Sequence, residues 1–193
     1  MDHKEQSIFF QEETLSSMKI YQGKIINLLK KIVKLPDGQK AIREIVEHPG
    51  AVVILPLTRD KKVVMVRQFR KATEEILWEL PAGVIGTGES LISAARRELQ
   101  EETGYYAHYL KELISFFSSP GFCNERLTLF LARDLEFRNK NTDIDEFTEV
   151  KLVSREESIE MVKKNIIKDA KSIVGIFYLI MMENNLWSPG EIR

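Results

Sequence analysis

Cysteine is nearly absent from this chain: Cys123 is the only one among 193 residues. No intrachain disulfide can form, and with no leader-like amino-terminal segment in view the expected setting is reducing and cytoplasmic. Long apolar runs are missing too. The longest, Ile173 to Met182 with Gly175 inside it, is about half of what a bilayer-spanning helix needs, so it is read as a buried helix and no membrane partner is expected. An excess of charge of either sign is also lacking. With 28 Lys and Arg against 29 Asp and Glu, the net charge of −1 gives no general attraction to nucleic acid or to anionic lipid. Histidine is scarce, and neither His48 nor His108 sits in a pattern that suggests a catalytic triad. Cys123 has no paired histidine, which argues against nucleophilic catalysis by its thiol. There is no internal repeat and no low-complexity stretch. What remains, 44% hydrophobic and 30% charged residues, is an ordinary globular composition at a length that suits one domain, or one domain with an appendage.

The most informative stretch that is present runs from Gly83 to Tyr105, G-V-I-G-T-G-E-S-L-I-S-A-A-R-R-E-L-Q-E-E-T-G-Y. Its spacing predicts a helix from Glu89 to Thr103, uninterrupted by proline and stopped by Gly104. On such a helix Glu98, Glu101 and Glu102 fall within roughly 100° of arc. Leu91, Ala94 and Ala95 lie on or beside the same arc, so the acidic face borders the apolar one, which places the carboxylates toward a cleft rather than in the solvated stripe such clusters usually form. Three like charges at this spacing repel unless something positive lies between them, and a divalent cation is the natural partner. Hard oxygen donors without nearby histidine or cysteine favour Mg²⁺ or Mn²⁺ over zinc. Arg97 can pair with Glu101 one turn on, and Gly83, Gly86 and Gly88 let the preceding backbone approach a ligand closely. A glycine-rich loop leading into an acidic helix suggests phosphate chemistry through a metal.

Along the rest of the chain, Met1 to about Ser17 is weakly periodic and is expected to be mobile in its first residues. Apolar runs at Ile25 to Leu35 and Ala41 to Val46 flank Pro36-Asp37-Gly38, a hairpin signal. Strands are predicted at Ala51 to Leu57, Lys62 to Phe69, Ile76 to Leu80, Tyr109 to Ser118, Arg126 to Ala132 and Phe147 to Val153, with Pro81-Ala82-Gly83 ending the sheet segment ahead of the acidic helix. Ser119 to Glu125 and Arg138 to Glu146 read as loops. Ser154-Arg155-Glu156-Glu157 is a capping box that starts a helix running to about Lys164, and Asp169 caps a last helix to about Asn184 with Ile173, Ile176, Phe177 and Ile180 on its buried face. Strands with interspersed helices make this an α/β domain with a mixed sheet.

Gly83, Glu89, Arg97, Glu98, Glu101, Glu102 and Gly104 match in type and spacing every fixed position of the Nudix box, and the chain resembles a Nudix hydrolase. Tyr105 departs from the pattern, where an aliphatic residue is usual. The resemblance implies an α/β/α sandwich with a mixed sheet preceded by a small amino-terminal antiparallel β element. Residues 1–48 would then be a hairpin region serving homodimerisation, with packing onto its own domain as the alternative, and 49–193 the hydrolase domain. Pro120, sixteen positions after Gly104 and inside Ser119-Pro120-Gly121, is similar to the marker of the ADP-ribose pyrophosphatase subfamily, although Pro-Gly is by itself a common turn. The similarity extends through Val66-Arg67-Gln68-Phe69-Arg70 and Glu79-Leu80-Pro81-Ala82-Gly83.

What this resemblance implies is Mg²⁺-dependent cleavage of ADP-ribose to AMP and ribose 5-phosphate, with Mn²⁺ as the other candidate metal. Glu98 and Glu102 would bind the metal, joined by the Ala82 carbonyl and Glu101. A loop acid would act as general base, Glu146 first, with Asp143, Asp145 and Glu149 as alternatives. Substrate contacts would come from Arg67, Arg70, Glu79, Pro120 and Glu125, and from Trp78 if its ring is exposed rather than core. The alternatives are other nucleoside diphosphate sugars such as ADP-glucose or GDP-mannose, removal of pyrophosphate from RNA 5′ ends, and a sensor that binds ADP-ribose without cleaving it.

Overall fold

The first nine residues, where mobility is expected, lie outside the described ones; strand β1 (Glu13–Gln22) follows and pairs antiparallel with β2 (Asn27–Lys34). The computed structural model describes residues 10–139, 147–184 and 186. Periodicity hides β1 because its register slips twice, between Thr14 and Ser16 and between Lys19 and Tyr21; each slip moves the following apolar side chains to the other face. The expected hairpin follows. β2 pairs with β3 (Lys40–Glu47) from Asn27↔Glu47 to Lys34↔Lys40, and Gly38 takes the left-handed φ of 85° at its turn. These three strands, in the order β1-β2-β3, belong to one compact unit made of Met1–Gly50 and Phe117–Arg126.

The second unit comprises Ala51–Phe116 and Leu127–Arg193. Its strands are β4 (Ala51–Pro56), β5 (Val63–Arg70), β6 (Glu75–Glu79), β7 (Ala82–Val84), β8 (Tyr105–Phe117), β9 (Arg126–Phe137) and β10 (Glu149–Val153). Its helices are α1 (Leu91–Thr103), α2 (Arg155–Lys163) and α3 (Ala170–Glu183). One sheet runs β7-β4-β9-β8, with β4 parallel to β9 and antiparallel to β7, so the sheet is mixed as expected; a second runs β10-β5-β6, antiparallel throughout.

β4 shows why the domain is layered. All six of its residues are buried, and their alternation sends Val52 and Ile54 to one side and Ala51, Val53 and Leu55 to the other. The first pair packs with Ala94, Ala95 and Leu99 of α1; the second set packs with Leu80, Met161 of α2, and Ile176 and Leu179 of α3. Helices therefore cover both faces of the sheet. Among the described residues no helix is long and apolar enough to cross a membrane. Ser154 and Asp169 cap α2 and α3 as read, accepting from the backbone N–H groups of Glu157 and Ser172.

Of the boundaries that differ from expectation, β8 starting at Tyr105 and β9 running on to Phe137 among them, two matter most. Pro81-Ala82-Gly83 does not end the sheet: Ala82 and Gly83 pair with Val53 and Val52, making β7 an edge strand that a three-residue length concealed. α1 starts at Leu91, with Ser90 as its N-cap, so Glu89 lies before the helix. Both shifts bear on the site.

Candidate active site

The Gly83 to Tyr105 stretch folds as a strand, a turn and a helix. Gly104 closes α1 in the left-handed conformation, φ 79°, its N–H donating to the Gln100 carbonyl. Ala94, Ala95 and Leu99 press against β4 and β9, and the carboxylates beside them are graded in depth. Glu102 is buried at 3% exposure; the Glu98 side chain is mostly buried and that of Glu101 half-exposed. The acidic face does border the apolar one.

The strand β7 lies against these carboxylates. Glu102 Oε2 accepts from the Ala82 N–H at 3.0 Å. The Glu98 carboxylate is seated over Gly83 so closely that a Cβ there would stand 2.0 Å from its carboxyl carbon. Only glycine permits this approach, and the requirement comes from space rather than from φ. β7 itself is fixed by its ladder to β4, so the site's backbone wall is a property of the sheet.

Arg97 gathers the remaining acids. Its guanidinium donates to both oxygens of Glu89 at 2.9 Å, to Glu98 at 2.7 Å, to Glu101 at 2.9 Å and to the Val84 carbonyl at 3.1 Å. The Arg97 guanidinium in turn holds the Glu89 carboxyl below its usual range. Glu89 also accepts from the Gly86 N–H at 2.9 Å, tying the glycine turn to the helix. The sequence marked Arg97 as a partner of Glu101; the structure makes it a hub for three acids, which meets much of the positive charge that repulsion among them demands. Among the described residues no three acidic, histidine or cysteine side chains converge on one point as around a bound ion. The donors that α1 and β7 bring together here are nevertheless all oxygens, from Glu98, Glu101, Glu102 and the Ala82 backbone, a set chemically suited to a hard divalent cation.

A second cluster stands at the carboxyl-terminal end of β6. Glu79 is 1% exposed and accepts from Arg70 in two places, Nε to Oε1 and Nη2 to Oε2, each at 2.7 Å. Lys171 Nζ reaches the same carboxylate at 2.5 Å and Asp169 at 3.0 Å. Burial pushes the Glu79 carboxyl up, but the Arg70 and Lys171 charges outweigh it and hold the group below its ordinary value. Arg67 pairs with Glu149 at 2.6 Å and lies 5.3 Å from the centre of the Trp78 ring, with Lys151 at 5.8 Å. Trp78 is half-buried against the core, between the two readings offered for it. Glu149, one alternative base, is thus already paired; Asp143, Asp145 and Glu146 lie outside the described residues.

Pro120 and Glu125 belong to the first unit. Pro120 sits in a turn closed by Phe122 and Cys123 N–H groups on the Ser119 carbonyl. The loop is bridged to Val46, and the His48 N–H donates to Asn124 Oδ1 at 2.7 Å, with His48 Nδ1 3.6 Å from the Glu125 carboxylate. Lys171 was missed by sequence reasoning. Its one signal in the sequence is weak: a lysine in the first turn of an apolar helix opposes the helix dipole.

An α/β domain that sets a carboxylate helix against a glycine strand is the arrangement of a phosphate-cleaving hydrolase. The chain belongs to the NUDIX family, whose domain model matches residues 47–174, and is a Nudix hydrolase. It is 42% identical over 175 residues to an ADP-ribose pyrophosphatase of Bacillus subtilis, covering 90% of this chain and 95% of that protein. It is 39% identical over 176 residues to a methanol dehydrogenase activator of Bacillus methanolicus, with the same coverage, and 33% identical over 182 residues to an ADP-ribose pyrophosphatase of Escherichia coli, covering 86% and 87%. A crystal structure of an ADP compounds hydrolase has the same fold, with a TM-score of 0.81 over 92% of this chain and 97% of that one at 20% identity.

Proposed function

We propose that the chain hydrolyses the pyrophosphate bond of ADP-ribose, giving AMP and ribose 5-phosphate, as a cytoplasmic homodimer that uses Mg²⁺. The observation that carries this reading is the seating of Glu98 over Gly83 beside the Ala82–Glu102 hydrogen bond, which brings two carboxylates of one helix against a strand's backbone. The Bacillus subtilis and Escherichia coli relatives support the choice of substrate.

Glu98 and Glu102, with Glu101 and the Ala82 carbonyl, would hold the cation. When bound, it screens phosphate charge and makes a coordinated water more acidic, which is the chemistry that a pyrophosphate cleavage at neutral pH requires. Arg97 keeps Glu98 and Glu101 oriented and offsets their repulsion. Arg70 and Arg67 bind phosphate oxygens, Glu79 aligns Arg70, and Trp78 offers a ring for adenine. Glu146 takes the proton of the attacking water; the water oxygen bonds to phosphorus, the bridging P–O bond breaks, and each product leaves as a monophosphate.

Dimerisation is supported by β1, whose ten residues are all exposed and include Leu15, Met18, Ile20 and Tyr21. An edge strand of that length and apolarity is a template for pairing, here with a second copy.

The deciding experiment is Mg²⁺-dependent AMP release from ADP-ribose, run beside ADP-glucose and GDP-mannose with products separated by chromatography. Fastest cleavage of ADP-ribose is expected, together with a ~10²-fold or greater loss of turnover in Glu102→Gln. Preference for another compound would change the substrate and keep the chemistry; wild-type activity in Glu102→Gln would remove the metal assignment. A second reading, activation of a dehydrogenase, is favoured only by the Bacillus methanolicus relative, and addition of the chain to a methanol dehydrogenase tests it directly.

A further inference from the structure

We propose that Lys171 is a positioning residue for the substrate-binding guanidinium of Arg70, acting through Glu79; this rests on the reading of Arg70 as a phosphate contact. Arg70 ends β5 with a side chain 41% exposed, and a long cation at a strand end has many rotamers open to it. What restricts it is Glu79, which takes its Nε and Nη2 edge. No other side chain among the described residues accepts from that guanidinium, which leaves its Nη1 edge for a ligand. The direction of that edge is therefore set by the plane of the Glu79 carboxylate.

Arg70 alone does not fix the plane, since the two groups can swing together. Lys171 supplies the third point. It comes from a different element, is 13% exposed, and donates to Glu79 Oε2, the oxygen that also receives Arg70 Nη2. Its own place is held by Asp169, the cap of α3, at 3.0 Å. A cation in a first helical turn opposes the dipole, so local helix energetics do not account for Lys171, whereas the buried carboxylate does. The neighbouring Ser172 grips the residue that follows the strand, its Oγ accepting from the Leu80 N–H at 2.7 Å. The first turn of α3 thus holds residues 79 and 80 by separate bonds, and loss of the lysine leaves the second in place.

The test uses the full chain with ADP-ribose and Mg²⁺. Lys171→Met, which keeps the stem and removes the charge, should raise KM about tenfold with kcat within about threefold, and Lys171→Arg should return KM to within about threefold of wild type. In an Arg70→Ala background the Lys171→Met change should add nothing to KM, because the route through Arg70 is already gone. Where Lys171→Met is unfolded by circular dichroism, Lys171→Gln, which retains a donor without charge, gives the same comparison. An unchanged KM in the folded variant, or an equal rise with and without Arg70, overturns the proposal alone. A wild-type chain that cleaves no ADP-ribose overturns the substrate reading and the proposal with it.

Discussion

At the scale of residues, the site is governed by close approach and by charge shared among few groups. Gly83 shows the first. Since the atoms that a Cβ would meet are the carboxylate end of Glu98, at 2.0 to 2.2 Å, Gly83→Ala can be accommodated by turning that side chain away. The expected outcome is a folded protein, melting within a few degrees of wild type, whose turnover falls ~10²-fold; steady-state rates beside a thermal melt check both halves. Glu79 shows the second. Its carboxyl titrates lower in the folded chain than in the unfolded one, so the unfolded state binds the proton more readily. The stability this contributes is complete above the ordinary glutamate value of about 4.3 and is lost as pH falls through the lower folded value. Urea unfolding of wild type and Glu79→Gln from pH 7 to about 3 should therefore show the largest gap at neutral pH, narrowing only below about 4.3. A gap that narrowed between pH 7 and 5 would point to a different titrating group.

Elements translate these contacts into constraints that a helix or strand pattern does not reveal. Gly175 lies in the interior of α3, where replacement by alanine would by propensity gain about 1 kcal/mol. A Cβ there would stand 2.3 Å from Leu80 Cδ1, and Leu80 has no exposed surface. Overpacking a buried contact of this kind costs roughly 1–3 kcal/mol, which exceeds the propensity gain. Gly175→Ala should lower unfolding free energy by about 1 kcal/mol in denaturant titration; a stabilised variant would mean that Leu80 repacks freely. The same helix explains why α3 matters to the site although no motif marks it: Ser172 and Lys171 hold the strand residues that precede Ala82. By contrast, α1 was legible almost whole, because its apolar stripe, its carboxylates and Gly104 all announce one helix.

For the whole molecule, the proposed dimer gives a plain outcome. Light scattering at micromolar concentration should return twice the chain mass, and Met18→Asp with Ile20→Asp on β1 should return a single chain; removal of Mg²⁺ with EDTA should abolish hydrolysis and leave the assembly intact. A wild-type monomer would dispose of the β1 assignment. Local sequence alone determined the α/β class, the hairpin at Gly38, the caps Ser154 and Asp169 and the acidic helix, because each depends on short-range periodicity or on a residue with a specific backbone role. It also supplied the oxygen donors proposed for the metal, through the spacing of the Glu98 to Gly104 motif. Tertiary structure alone decided that β1 is a strand despite its slipped register and that Ala82–Val84 joins the sheet as an edge. It likewise decided that Arg97 serves three acids and that Lys171, 92 residues away in sequence, secures Glu79. Those features are distances between segments far apart in the chain, and a pattern of neighbouring residues carries no record of them.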